Sequence, residues 1–211
     1  MRLAVLALKG GVGKTTTSVA VALALATGDD APPVLLVDCD DPQWSATAWR
    51  GEAEDTGDPW PANLATAQWS SHITRSSLDG YDHVLFDLGP KRPELSRSVL
   101  RLCDTAIIPT APRKADFAEL GPALDLITAA QTRQPLSFAL LLTFVRLSTR
   151  SGRTARAEAE DIDLPVLDTV IPLAERYAAM YGRVPAQLGA YRDLAVELLA
   201  PAEEDTTHAD A

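Results

Sequence analysis

The chain has 211 residues, 46% of them hydrophobic, and a formal net charge of −10. That is long enough for one α/β domain with a substantial core, and no apolar run approaches the ~20 residues that cross a bilayer. The two cysteines, Cys39 and Cys103, form neither a disulfide framework nor a metal cluster and suit a reducing cytosol.

The apolar run Leu3 to Leu8 reads as a buried strand rather than a signal peptide. After it comes Lys9-Gly10-Gly11-Val12-Gly13-Lys14-Thr15-Thr16, then good helix formers from Thr16 to Ala26. Strand, glycine-rich turn and helix in that order make a phosphate cradle, because glycines leave backbone N–H groups free to converge on phosphate oxygens at a helix N-terminus. Lys14 is placed to meet the β- and γ-phosphates, and the Thr15 hydroxyl to ligate Mg²⁺. Val34 to Val37 reads as a central parallel strand delivering Asp38, Asp40 and Asp41 to its carboxyl end, where ligands bind in open α/β sheets.

Residues 51–63 are rich in Gly, Pro, Asp and Glu and read as a surface loop, with Trp49, Trp60 and Trp69 packing its edges. A helix is expected from Ser70 to Leu78, then a buried strand ending at Asp87, with His83 structural at its start. Next come a helix from Glu94 to Leu102, a strand from Thr105 to Pro109, and a helix from Phe117 to Ala130 capped by Asp116. A strand from Phe138 to Phe144 follows, then a helix carrying Arg150, Arg153 and Arg156 in one stripe. That stripe reads equally as a DNA contact or as a solvated face countered by Glu158, Glu160 and Asp161. Leu164 to Ile171 is expected as the last core strand, with helices at Ala174–Tyr181 and Ala186–Leu199. Residues 1–200 thus form a single domain, a doubly wound, mainly parallel twisted sheet with helices on both faces. Residues 201–211 form an acidic tail of the kind that stays disordered.

The phosphate loop lacks the first glycine of a plain Walker A motif, having Leu8 there, and carries Lys9 instead. This resembles the deviant Walker A box of the ParA/MinD family of ATPases. Val37 to Gln43 resembles that family's Asp-x-Asp-Pro-Gln box, with one extra residue, so either Asp40 or Asp41 matches its second aspartate; spacing from Asp38 favours Asp40. The strand ending at Asp87 resembles a Walker B strand, Cys103 to Pro109 resembles the family's Ala-Asp-x-Val-x-x-Pro strand, and Leu164 to Ile171 is similar to the last core strand of short ParA proteins.

The resemblance implies a P-loop ATPase that uses ATP and Mg²⁺ and forms an ATP-dependent homodimer. Gly10 to Thr16 would hold nucleotide, and Thr15, Asp38 and Asp87 the metal. Lys9 would reach the partner's nucleotide, Lys14 the chain's own phosphates, and Asp40 or Asp41 the attacking water. The same resemblance implies a cytoplasmic, nucleoid-associated protein that partitions DNA with a ParB-like partner. It would bind non-specific DNA through Arg150, Arg153, Arg156 and Arg176, against which the acidic balance weighs. A protein cargo in place of a plasmid is the alternative. A MinD-like membrane regulator needs a basic amphipathic C-terminal helix, and Arg192 to Leu199 followed by acidic residues has the wrong charge. A nitrogenase-iron-protein-like reductase needs cluster-holding cysteines, and the two present are poorly placed.

Overall fold

The computed structural model describes residues 1–71 and 73–200, so the expectation for the acidic tail lies outside the described residues. Six strands form one sheet: β1 (Arg2–Leu6), β2 (Val34–Asp38), β3 (Leu64–Gln68), β4 (His83–Leu88), β5 (Thr105–Thr110) and β6 (Ser137–Leu142). Their order is β3-β2-β4-β1-β5-β6 and every pairing is parallel. Parallel neighbours need crossovers, and the helices that make them cover both faces.

The strand period of two divides the core. On β1, Leu3 and Val5 face one layer, while Ala4 and Leu6 face the other. The first layer contains α1 (Lys14–Leu25), α2 (Ser45–Asp55), α7 (Glu175–Ala178) and α8 (Ala190–Leu199). The second contains α3 (Pro93–Leu100) and α5 (Gly121–Gln131), with Ala159 of α6 (Arg150–Glu160) at its edge. Helix α1 is buried from Thr17 to Leu25, because the sheet covers one side and α8 and α2 the others. It therefore lacks a polar stripe, as a fully enclosed helix does.

Several boundaries differ from expectation for physical reasons. Residues 45–55 are helix α2, so the loop is shorter than its Gly, Asp and Glu content suggests. Ala46, Trp49 and Ala53 make the buried stripe of that helix, and Gly51 sits harmlessly on its exposed side. Strand β3 has weak propensity, and pairing along β2 makes it a strand. Between 70 and 78 the only helical piece described is a 3₁₀ turn, Arg75–Leu78.

The helix expected at 117–130 is two, α4 (Lys114–Ala118) and α5, because Pro122 cannot continue a helix but suits its first turn. Asp116 lies inside α4, buried, and is no cap. The segment expected as a last strand runs beside β6 and the residues after it through isolated bridges at Leu140–Val166 and Val145–Pro172, and Pro165 and Pro172 have no N–H to extend them into a ladder. Trp49 and Trp60 pack as expected, their indole N–H groups donating to the carbonyls of Arg183 and Leu64. Cys39 and Cys103 are buried thiols, and burial pushes both pKa values up.

Candidate functional site

The strand order places β1 between β4 and β5, so the loop leaving β1 opens over the carboxyl ends of its neighbours. Gly13 is the N-cap of α1 at φ 86°, a left-handed conformation that favours glycine. No side chain caps the helix, and its first backbone bond runs from the Thr17 N–H to the Gly13 carbonyl at 2.9 Å. The N–H groups of Lys14, Thr15 and Thr16 are thus the helix's uncapped first turn, with the positive end of its dipole behind them. From the far side, the Thr143 hydroxyl donates to the Val12 carbonyl at 3.0 Å, and the Phe144 ring lies under Gly13. Sequence reading missed this brace, because nothing local ties residue 143 to residue 12.

Lys14 is nearly buried and donates to the Lys9 carbonyl at 3.0 Å. Burial lowers its pKa, and the charges of Asp87 and Asp40 oppose that. In register, Asp38 of β2 is the direct neighbour of Asp87 of β4, so two carboxylates stand side by side at the strand ends. They are used differently. Asp38 accepts from the Asp40 N–H at 3.2 Å, the Thr47 N–H at 3.0 Å and the Thr47 hydroxyl at 3.2 Å. Both Asp38 oxygens thus brace the acidic turn. Asp87 accepts from the Ser18 hydroxyl at 3.0 Å through one oxygen, while the other is buried with no partner. Burial pushes the Asp87 carboxyl up to about 6, against the nearby Thr15 and Ser18 hydroxyls and the Lys14 charge, with Asp38 adding to the rise.

The two aspartates left open by the sequence point different ways. Asp41 is paired with Arg92, which also donates to the Ser70 carbonyl. Asp40 lies near enough to Lys14 for their charges to interact, and burial raises its pKa against that attraction. It packs so closely on Gly89 that a Cβ there would stand 2.9 Å from the Asp40 Cα, so residue 89 must be glycine while Asp40 holds this position. Lys9 is engaged by residues of and after α4. Its ammonium is 2.7 Å from Asp116 and 3.3 Å from Glu119, and the Asp116 hydrogen bond raises its pKa. The second Asp116 oxygen has only Arg113 at 3.6 Å, beyond hydrogen-bond range.

Helix α6 forms, so Arg150, Arg153 and Arg156 recur along it at three-residue spacing, but their tips are used differently. Arg150 is exposed, and Arg153 is exposed but donates to the Leu147 and Ser148 carbonyls. Arg156 is a correction: its guanidinium is held by the carbonyls of Val166, Leu167 and Asp168 and by the Glu160 and Asp168 carboxylates. It pins the segment beside β6. Arg176 lies on α7 and stacks over the Tyr177 ring.

Residues 3–184 match the sequence profile of the CobQ/CobB/MinD/ParA nucleotide binding domain. The chain belongs to the ParA/MinD family. Among ParA/MinD relatives, it is 34% identical to the maintenance of carboxysome distribution protein A of Gloeobacter kilaueensis, covering 84% of this chain and 76% of that one. It is 31% identical to the chromosome-partitioning ATPase Soj of Thermus thermophilus, covering 96% and 97%. Its fold is similar to that of cobyrinic acid a,c-diamide synthase from Mycobacterium smegmatis, solved with bound ADP and magnesium, at a TM-score of 0.71 and 25% identity over 94% of this chain and 93% of that one.

A divalent cation fits the residues present. The partnerless Asp87 oxygen and the neighbouring Thr15 hydroxyl are hard oxygen donors. No cage of three His, Cys, Asp or Glu side chains exists among the described residues. The rest of an octahedral shell then falls to water and phosphate oxygens, the usual arrangement for Mg²⁺. Asp87→Asn should stabilise the nucleotide-free chain at pH 7.5 by about 1–3 kcal/mol, because it removes a buried charge. The Asp87 pKa is raised from the ordinary 3.8 to about 6 by folding, so the wild type loses stability as pH rises through that window and the variant does not. Melting curves from pH 4.5 to 8 should show a gap that widens with pH. A constant gap rejects this account.

Proposed function

We propose that the chain is an Mg²⁺-dependent ATPase that dimerises on ATP and uses hydrolysis to ADP and phosphate to partition DNA. The observation that carries this reading is Asp40, packed on Gly89 and near enough to Lys14 for their charges to interact, while Asp41 is paired with Arg92. In this reading the first-turn N–H groups of α1 and Lys14 bind the phosphates, and Gly10 to Thr16 form the cradle. Thr15 and Asp87 hold Mg²⁺, which supplies charge neutralisation at the β- and γ-phosphates. Asp40 orients the attacking water and draws its proton by hydrogen bonding. Lys9 leaves Asp116 and Glu119 to reach the partner's nucleotide. A ParB-like protein on the cargo DNA stimulates turnover, and the ATP dimer travels on the nucleoid in the cytoplasm.

A second reading keeps the ATPase and replaces DNA cargo with a protein assembly. It is supported by the 34% identity to a carboxysome distribution protein. No described helix is long and apolar enough to cross a membrane, and neither reading calls for one. Phosphate release by the purified chain, with duplex DNA and the product of the adjacent gene added in turn, tests both. Release at the Lys14→Ala background rate rejects the ATPase. A stimulating partner that binds a specific DNA site supports partition, and one that binds a protein assembly supports the second reading.

A further inference from the structure

Thr143 follows β6 directly and is buried. Its backbone N–H donates to the Thr110 carbonyl at 2.9 Å, which roots it beside the β5–β6 ladder. Its hydroxyl meets the Val12 carbonyl from 131 positions away, in a buried bond of 3.0 Å. The Val12–Gly13 peptide is trans, so the Val12 C=O and the Gly13 N–H point opposite ways. A carbonyl held toward the end of β6 therefore turns the Gly13 N–H away from it. Gly13 stands at φ 86°, and glycine holds either sign of φ about equally well, so this peptide is free to flip unless something holds it. A flipped peptide presents an oxygen where the loop now presents a donor, and an oxygen repels phosphate.

The next residue, Phe144, has φ 54°, a left-handed backbone in which a bulky side chain is an outlier. Such a conformation persists where its surroundings over-determine it, and both neighbours of Phe144 are pinned. Thr143 is held to Thr110 and Val12, and Val145 donates to the Ile171 carbonyl at 3.1 Å and accepts from the Leu173 N–H at 2.9 Å. The strained backbone lays the Phe144 ring against Gly13, 3.5 Å from where a Cβ would stand on it. Hydroxyl and ring thus meet two consecutive residues of the loop.

We propose, on the reading that this loop holds the nucleotide's phosphates, that Thr143 and Phe144 are positioning residues for the anion. Together they select the orientation of the Val12–Gly13 peptide that offers the Gly13 N–H to a phosphate oxygen. Without the Thr143 hydroxyl, the Val12 carbonyl is a buried acceptor lacking its partner, and a flip becomes its route to another. The Phe144 ring keeps Gly13 from settling toward β6. Neither residue supplies a group to the reacting phosphate, so the effect falls on binding rather than on the chemical step.

The test is calorimetric titration with ADP and Mg²⁺, and with inorganic pyrophosphate, which keeps the anion and lacks base and sugar, beside steady-state ATP hydrolysis. Thr143→Val keeps the shape and loses the donor; it should weaken both ligands about tenfold or more and raise KM for ATP similarly, with kcat within about threefold. Thr143→Ser restores the hydroxyl and should bring both affinities back to within about threefold of wild type. Thr66→Val makes the same chemical change on β3, at a hydroxyl buried without a partner, and should leave both affinities unchanged. Wild-type affinities in Thr143→Val, equal losses in Thr66→Val, or failure of Thr143→Ser to rescue overturn the proposal. Weaker ADP with unchanged pyrophosphate places the effect at the base or sugar and also rejects it. Should Thr143→Val not fold, Phe144→Asn tolerates the same backbone without the ring and should weaken both ligands about threefold or more; wild-type affinities there overturn the proposal. A wild type that binds neither ligand removes the phosphate reading itself, and the positioning role with it.

Discussion

Lys9→Ala should bind ATP within a few-fold of wild type yet lose ATP-dependent dimerisation, with hydrolysis falling about 10³-fold or more. A charge delivered in trans to a transferring phosphoryl group contributes about 10³ to 10⁵ in rate. Lys14→Ala should fail earlier, at nucleotide binding, because Lys14 is buried within the loop itself. The structure adds a third arm. Lys9 is held by its own chain's Asp116 and Glu119, so reaching a partner requires breaking those pairs. Asp116 is buried, and losing Lys9 leaves its carboxylate with only the exposed Arg113 at 3.6 Å, so the resting position costs energy to leave. Asp116→Asn should therefore lower the ATP concentration needed for dimerisation by several-fold. Size-exclusion profiles across an ATP titration separate the three variants. Unchanged dimerisation of Lys9→Ala would remove the cross-dimer role altogether.

Asp40→Ala should trap an ATP-bound dimer, with kcat reduced by about 10² to 10⁴ and nucleotide affinity little changed, since only the group that positions water is lost. Asp41→Ala should leave hydrolysis within a few-fold of wild type, because Asp41 is engaged with Arg92. Single-turnover phosphate release, measured beside dimer content, distinguishes slow chemistry from failed assembly. The reverse pattern, with Asp41→Ala trapped and Asp40→Ala active, would show that the motif aligns from Pro42 rather than from Asp38. Gly89→Ala offers an independent check, since its methyl would displace Asp40 from its packed position. It should mimic Asp40→Ala in kcat without removing any polar group.

Which features were legible in the sequence follows from the range over which each is encoded. The phosphate loop is local: Lys9 to Thr16 run from the end of a strand into a helix, and eight consecutive residues define their own geometry. The apolar strands β1, β2, β4 and β5 were legible for a related reason, since parallel strands covered on both faces read as short unbroken apolar runs. Strand β3 and helix α2 were hidden because composition averages over a window. Their identity depends on which residues find a partner, Trp49 against the Tyr181 ring and Leu64 beside Val34.

The sequence by itself determined the family, the parallel α/β fold and the strand–glycine loop–helix order at its centre, because these rest on local order and periodicity. It also narrowed the proposed water-positioning role to two adjacent aspartates. Only the tertiary structure decided how the charged residues are used. Asp38 is occupied by Thr47, Asp87 keeps one oxygen without a partner, Asp41 is taken by Arg92, and Asp40 is left beside Lys14. Arg156 is taken by backbone carbonyls, whereas Arg150 stays exposed. The physical reason is that a charged side chain acts through whatever lies within a few ångströms of its tip. Those neighbours come from residues tens of positions away, brought together only when the sheet closes its strand order.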